Sequence, residues 1–268
     1  MPPHCLVPHN LTIASMGSSF ASGPGLQPVA NAEAGRSYSN YANLLAQRLP
    51  GSHLVDLAVS GSTLANMLDT PQVTPTKATF APQLDGVPAN ADVVTILGGG
   101  NDLSISSQLI YEAAPPVAKA GVVPAAPSAS GAEVERRFLA LVDAVHSRAP
   151  KAKIFLVEYV QVVGKETVPQ RDILLDETRI GYYEERQQLL SDIYHRVAEK
   201  RSGVVDLVPM YRDSRHHVLG SAQPWVTGFT DQTIAENRAP FHPDYAAHRA
   251  IADKLYGDLL GPQCRSRY

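Results

Sequence analysis

Four short blocks, widely separated along the chain, carry the residue types that acyl transfer uses. Ser19 lies in a run of small residues that begins at Gly17, and it can supply a nucleophilic hydroxyl. Gly61 and Asn101, each in a block that contains glycine, can supply N–H donors for an oxyanion. His242 can act as a general base. A nucleophile, oxyanion donors and a base are together the parts that acyl transfer requires.

Predicted strands and helices alternate along the chain. Buried strands are predicted at residues 11–17, 53–59, 92–97, 154–163 and 204–208, and helices at 40–49, 133–148, 180–201 and about 243–260. This alternation predicts a three-layer α/β/α fold around a mostly parallel sheet. Ser19, Gly61 and Asn101 each follow the carboxyl end of a predicted strand. We therefore expect the three residues to lie on one rim of the sheet.

The bulk composition favours one domain and excludes several classes of protein. The 268 residues, 44% of them hydrophobic, suit a single domain over residues 1–268, with loop insertions at about 104–131 and 164–179. A net charge of −3 offers no basic surface for nucleic acid. No apolar run approaches the ~20 residues of a membrane span. No secretory signal is visible, which predicts an intracellular protein, or a secreted one if a leader has been removed.

The two cysteines, Cys5 and Cys264, lie near opposite ends of the sequence. Two free thiols in a reducing compartment and one bridge that joins the termini are both open interpretations. Neither cysteine has the sequence context of a catalytic nucleophile.

The four blocks resemble the motifs of the SGNH (GDSL-type) hydrolase family. Residues 17–23, Gly-Ser-Ser-Phe-Ala-Ser-Gly, are similar to its Gly-Asp-Ser-aromatic-Ser-Ser-Gly pattern, and residues 59–62, Val-Ser-Gly-Ser, to its second block. Residues 99–102, Gly-Gly-Asn-Asp, are similar to its third block, which is the most specific of the four. His242-Pro243, followed by residues 248–252, is similar to its last block.

The resemblance implies a flavodoxin-like sheet and a serine-dependent esterase or lipase that needs no cofactor and no metal. It implies Ser19 as the nucleophile and His242 as the base. The N–H groups of Ser19 and Gly61 and the amide of Asn101 are then the oxyanion donors, and the substrate is a small-molecule carboxylic ester. Two alternatives are open: an acyltransferase that uses the same site, and an inactive ligand-binding protein of the same family.

Two positions depart from the family pattern. Ser18 stands where the family has Asp, and Ala239 stands three residues before the histidine, where the family places the acid of its triad. We therefore predict that no carboxylate orients His242, and that a backbone carbonyl just before it accepts a hydrogen bond from Nδ1. The pKa of His242 is then expected near ~6.5. The carboxylates that would contradict this prediction are Asp231, Glu236 and Asp244.

Each candidate residue also has a purely structural interpretation. Ser19 is a good helix N-cap, and Ser18 is a competing nucleophile. Gly61 suits a turn with positive φ, and Asn101 suits a turn or a cap. Asp102, beside Asn101, is expected to make structural hydrogen bonds.

Several side chains in the C-terminal third of the sequence are of types that bind metal ions. Nitrogen and oxygen ligands suit zinc, and the candidates are His216, His217, His242, Asp244 and His248. Their spacing matches no recognised metal motif, so no metal site is predicted. We expect His248 to pack beneath the site or to bond a backbone group. His242 can alternatively be a surface residue at a helix start.

Overall fold

The computed structural model describes residues 7–260, so Cys5 and Cys264 lie outside the described residues. The strands in this range are β1 (Thr12–Gly17), β2 (Val29–Asn31), β3 (Arg36–Ser37), β4 (His53–Asp56), β5 (Gln72–Val73), β6 (Thr79–Phe80), β7 (Val93–Leu97), β8 (Lys153–Val157) and β9 (Val205–Val208). The α-helices are α1 (Ser19–Ser22), α2 (Tyr41–Gln47), α3 (Leu64–Leu68), α4 (Ile105–Ala113), α5 (Gly131–Arg148), α6 (Glu177–Lys200), α7 (Met210–Asp213), α8 (Asp231–Ala235) and α9 (Tyr245–Leu260). Short 3-10 turns occupy Gln83–Gly86 and Lys119–Gly121.

Five parallel strands form the central sheet, in the order β4-β1-β7-β8-β9. Ile13 of β1, for example, pairs with Leu54 of β4 on one side and with Val93 of β7 on the other. In chain order these strands run 2-1-3-4-5, which is the order of doubly wound, flavodoxin-like sheets. Every residue of β7 is buried, as expected of a strand that is covered on both faces. The predicted parallel sheet is confirmed.

Helices flank the sheet and complete three layers. One group consists of α2 packed against α9, and another of α5 packed against α3 and α6. The Tyr41 hydroxyl of α2 reaches the sheet, where it lies 3.2 Å from Ser15 Oγ and 2.9 Å from Thr95 Oγ1. Phe138 of α5 packs on Tyr194 of α6, with ring centroids 4.8 Å apart. No helix within residues 7–260 has the length and apolar character needed to cross a bilayer.

Two strands end earlier than the sequence predicted. β4 stops at Asp56 rather than at residue 59, and β8 stops at Val157 rather than at residue 163. Residues 158–163 are mostly buried, but the Gln161 N–H donates to Ser214 Oγ instead of to a neighbouring strand. A buried apolar loop of this kind has the same sequence signature as a buried strand, which explains the difference.

Two short antiparallel hairpins, β2–β3 and β5–β6, were not predicted. Both contact the turn that follows β4. The Ser60 N–H donates to Ala34 O, 2.8 Å away in the first hairpin, and Gln72 Nε2 of the second donates to Ser60 O, also at 2.8 Å. The two hairpins therefore hold the turn that carries Gly61.

Candidate active site

Ser19 is the first residue of α1, at the end of the central strand β1. The turn into the helix is tight, because a Cβ atom at Gly17 would lie 2.6 Å from the carbonyl oxygen of Leu97. Ser18, not Ser19, occupies the N-cap position, and its side chain makes no capping hydrogen bond. The interpretation of Ser19 as a helix cap is therefore wrong.

The hydroxyl of Ser18 points into the protein. Its Oγ lies 2.6 Å from the hydroxyl oxygen of Tyr159, and the Ser18 side chain is fully buried. Ser19 is 4% exposed and belongs to the rim of the sheet. A nucleophile must be able to reach an incoming carbonyl carbon, so this arrangement favours Ser19 over Ser18.

Gly61 lies in the turn after β4, next to β1 in the sheet. It has a φ of +84°, a conformation that favours glycine, and it is exposed. The following residue, Ser62, is buried and accepts a hydrogen bond of 2.9 Å from Gln83 Nε2. Gln83 also bonds both backbone groups of Gly17, through its Oε1 at 2.8 Å and its Nε2 at 2.9 Å.

Gln83 thus connects the turn of Gly61 to the strand end that carries Ser19. Sequence analysis did not identify it. The residue type is the only indication that the sequence offers. A buried glutamine (Gln83 is 4% exposed) needs hydrogen-bond partners, but the sequence does not show which groups these are.

Asn101 lies in the turn after β7, on the other side of β1. Its Nδ2 donates to Ser62 O at 2.9 Å, which ties it to the Gly61 turn. A side-chain amide has two N–H bonds, so a second donor is present. The buried Asp102 accepts hydrogen bonds from the Leu64 N–H at 2.9 Å and from Arg137 at 2.7 Å. Asp102 therefore holds the turn, and its pKa is raised by burial.

His242 lies just before α9 and is 7% exposed, which contradicts the interpretation of a surface histidine. Its Nδ1 lies 2.7 Å from the backbone oxygen of Pro240, so the imidazole donates from Nδ1 and leaves Nε2 as the basic nitrogen. Within residues 7–260 no carboxylate oxygen is hydrogen-bonded to His242. This is the geometry that was predicted from Ala239.

The nearby carboxylates serve other purposes. Asp244 accepts a hydrogen bond of 3.0 Å from the Ala247 N–H at the start of α9. Glu236 accepts one of 2.8 Å from Gln232, and Asp231 lies in the first turn of α8.

Burial lowers the pKa of His242, and the hydrogen bond to the Pro240 carbonyl offsets this only in part. The pKa of His242 is therefore lowered below its ordinary value of 6.5.

His248 is buried under the site, on α9. Its Nδ1 accepts a hydrogen bond of 3.1 Å from the Tyr41 N–H, as expected of a histidine that bonds a backbone group. Burial, followed by the proximity of His242, lowers its pKa to about 3. His248 is therefore neutral at pH 7 and has a structural role.

The remaining histidines do not form a metal site. His216 is exposed near Glu166, and His217 stacks on Trp225 with ring centroids 3.9 Å apart. Across the described part of the chain, no three His, Cys, Asp or Glu side chains are arranged to hold a metal ion.

Tyr159, in the loop after β8, contacts two of the four blocks, the first and the third, and sequence analysis missed it. Its ring stacks on Phe20 at 4.2 Å, its hydroxyl meets Ser18, and a Cβ atom at Gly100 would lie 2.5 Å from its ring. The Phe20 ring lies 5.3 Å from that of His242.

In residues 7–260, Ser19 and His242 share no direct hydrogen bond; such catalytic bonds often form only when substrate is bound.

Sequence and structure comparisons agree with this fold. A sequence profile of the GDSL-like lipase/acylhydrolase family matches residues 15–250. Lipase 2 of Streptomyces coelicolor A3(2) is 25% identical, over 94% of this chain and 86% of its own length. An extracellular lipase of Streptomyces rimosus superposes with a TM-score of 0.64 at 20% identity, over 90% of this chain and 97% of its own. Phospholipase A1 of Streptomyces albidoflavus NA297 superposes with a TM-score of 0.67 at 16% identity, over 90% and 98%.

The 2-1-3-4-5 parallel sheet between two helical layers defines a three-layer α/β/α fold of the flavodoxin-like type. The profile covers most of the chain, and the chain belongs to the GDSL-like lipase/acylhydrolase family. It is a carboxylic ester hydrolase.

Proposed function

We propose that this hydrolase cleaves small-molecule carboxylic esters through an acyl-enzyme on Ser19. The observation that carries the proposal is the position of Ser19. It follows β1, and the two neighbouring strands β4 and β7 end in the turns that contain Gly61 and Asn101. The carboxyl ends of adjacent parallel strands meet at one edge of the sheet, so the three residues can act on one carbonyl group.

His242 is the base in this proposal. Because Nδ1 carries the hydrogen that is donated to Pro240, Nε2 holds the lone pair that can take the proton of Ser19 Oγ. The lowered pKa keeps the imidazole neutral, and therefore basic, at pH 7. Ser19 Oγ then attacks the ester carbonyl, and the imidazolium returns its proton to the leaving alcohol.

The oxyanion is held by N–H groups. The N–H of Ser19, at the first position of α1, has no acceptor within its own helix. The N–H of Gly61 and the second Nδ2 hydrogen of Asn101 are the other proposed donors. A water molecule activated by His242 then releases the acyl group, so the reaction needs no cofactor.

The test compares Ser19→Ala with Ser18→Ala on a p-nitrophenyl ester of a short acid. Removing the nucleophile should lower kcat by at least ~10³-fold, because the remaining donors can only stabilise charge. Ser18→Ala is the matched control, one residue away with the same chemical change, and it should keep kcat within about tenfold because it loses only a buried hydrogen bond.

Labelling with a fluorophosphonate probe, followed by peptide mapping, identifies the reactive serine. The proposal expects the label on Ser19 and none on the Ser19→Ala protein. A label on Ser18, or near-normal activity of Ser19→Ala, would show the assignment to be wrong. A wild-type protein that neither reacts with the probe nor cleaves any ester would favour the inactive ligand-binding alternative.

A further inference from the structure

One threonine holds the backbone of the loop that presents His242. We call residues 239–242 the base loop. The Thr227 N–H donates to His242 O at 3.0 Å, and the Phe241 N–H donates to Thr227 O at 2.9 Å. The Thr227 hydroxyl donates to Ala239 O and accepts a longer bond, 3.4 Å, from the His242 N–H. Thr227 thus contacts backbone groups at both ends of the base loop.

The base loop adopts a backbone conformation that needs such support. Phe241 has a φ of +59°, in the left-handed region that residues with a side chain rarely adopt. Its side chain is buried and meets Phe229 edge to face, with ring centroids 5.9 Å apart. Strained conformations persist only where the surrounding structure holds them in place. The Thr227 hydrogen bonds and the packing of Phe241 are the contacts that do so here.

The backbone conformation of the base loop determines which group accepts the hydrogen bond from His242 Nδ1. The only acceptor bonded to His242 Nδ1 among the described residues is Pro240 O, a backbone atom inside the base loop itself. A carboxylate side chain can rotate to follow an imidazole, whereas a carbonyl moves only with its peptide. In a chain with Ala239 in place of the triad acid, the direction of Nε2 therefore depends on how rigidly the base loop is held.

We propose that Thr227 is a positioning residue for the base: its hydroxyl locks the base loop and takes over the orienting function that a triad carboxylate would have. This inference rests on the proposed role of His242. The neighbouring acids do not orient His242, since Asp244 caps α9 and Glu236 bonds Gln232.

The experiment uses Thr227→Val, which keeps the shape and removes the hydroxyl, and Thr227→Ser, which keeps the hydroxyl. Thr167→Val is the matched control. Thr167 is equally buried (7% exposed), and its hydroxyl also donates to one carbonyl, Leu219 O at 2.8 Å, and accepts from one backbone N–H, that of Gly164 at 3.1 Å. Rates are expressed per serine titrated by the fluorophosphonate probe, so that unfolded protein does not count.

Thr227→Val is expected to lower kcat by ~10-fold or more with KM changed less than about twofold, since a displaced base slows proton transfer without altering ester binding. Thr227→Ser should stay within about threefold of the wild type, and Thr167→Val within about twofold. Wild-type kcat in Thr227→Val would overturn the inference. A Thr227→Ser protein as slow as Thr227→Val would also overturn it, and so would an equal loss of kcat in Thr167→Val. In either case the lower kcat would come from altered packing and not from the missing hydroxyl of Thr227.

His242→Ala is measured in parallel to separate this inference from the proposed function. Its loss of activity, combined with an unaffected Thr227→Val, would reject the role of Thr227 alone. An active His242→Ala protein would instead reject His242 as the base, and with it the proposed mechanism.

Discussion

At the scale of single residues, the feature that matters most for the proposed mechanism is the partner of His242 Nδ1, which is a backbone carbonyl. The Pro240 oxygen fixes the tautomer, but a neutral acceptor stabilises an imidazolium less than a carboxylate does. Burial adds to this effect, and the pKa falls below its ordinary value. In the proposed mechanism, His242 is thus neutral at pH 7, and it attracts the proton of Ser19 less strongly than a histidine paired with a carboxylate would.

In the proposed mechanism, a weaker base makes the reaction depend more on the oxyanion donors. Asn101→Ala is therefore expected to lower kcat by ~10²-fold, with a smaller change in KM, because such donors act mainly on the transition state. Steady-state kinetics on the p-nitrophenyl ester measure this. Asn43→Ala is the control, since Asn43 also donates from Nδ2 to a backbone carbonyl, that of Ser37.

Asn101→Ala also loses the hydrogen bond to Ser62, so its melting temperature is measured alongside. A drop in stability with an unchanged kcat would assign Asn101 a structural role only. An effect limited to KM would likewise contradict an oxyanion role.

At the scale of elements, the candidate site is the meeting point of strand ends. β4, β1 and β7 are adjacent, and each ends in a turn that carries one block. Gln83 joins the turns after β4 and β1, and the Asn101 side chain joins the turns after β4 and β7. Tyr159, from the loop after β8, stacks on Phe20 in the segment that follows β1. None of these links is a contact between neighbours in sequence.

Tyr159→Phe tests whether this linkage matters for catalysis. The change removes the hydroxyl bonded to Ser18 and keeps the ring stacked on Phe20. We expect kcat to fall about fivefold, which corresponds to about 1 kcal/mol for one buried hydrogen bond. Because Ser18→Ala breaks the same bond, the double variant should be no slower than either single variant.

Tyr41→Phe is the control for Tyr159→Phe. Tyr41 is also buried, and its hydroxyl bonds Ser15 and Thr95 within the sheet rather than at the rim. It should lower stability and leave kcat unchanged. Fully additive effects of Ser18→Ala and Tyr159→Phe would show that the pair does not act as a unit.

At the scale of the whole molecule, His248 links α9 to α2 beneath the site, and it does so only in its neutral form. Its pKa is about 3 in the folded protein and 6.5 as a free side chain. Between these values the unfolded chain binds a proton that the folded chain does not, so folding stability falls as pH falls from about 6.5 toward 3. Above pH 6.5 this contribution is constant.

His248→Asn tests that coupling, because Asn Oδ1 can accept the Tyr41 N–H without titrating. The difference in free energy of unfolding between wild type and variant should decrease by up to about 1.4 kcal/mol for each pH unit below 6.5. Urea unfolding at several pH values measures it. Parallel stability curves from pH 7 to pH 4 would contradict the prediction.

Much of the fold was predictable from the sequence. The runs at 12–17 and 93–97 are short, apolar and bounded by glycine or polar residues, and apolar spacing along 133–148 marks a helix. These signals are local, because strand and helix periodicity depends on neighbouring residues. The order of the blocks at strand ends likewise predicted the rim on which Ser19, Gly61 and Asn101 lie.

Only the tertiary structure decided which contacts hold His242 and that rim in place. The left-handed Phe241, the turn that brings Pro240 O to His242 Nδ1, and the hydroxyl of Thr227 all depend on the packing of segments that the sequence leaves apart. The same holds for Gln83 and Tyr159, whose partners lie 66 and 141 residues away. Residue type says that a buried polar group must find a partner; the global arrangement of the chain selects which one.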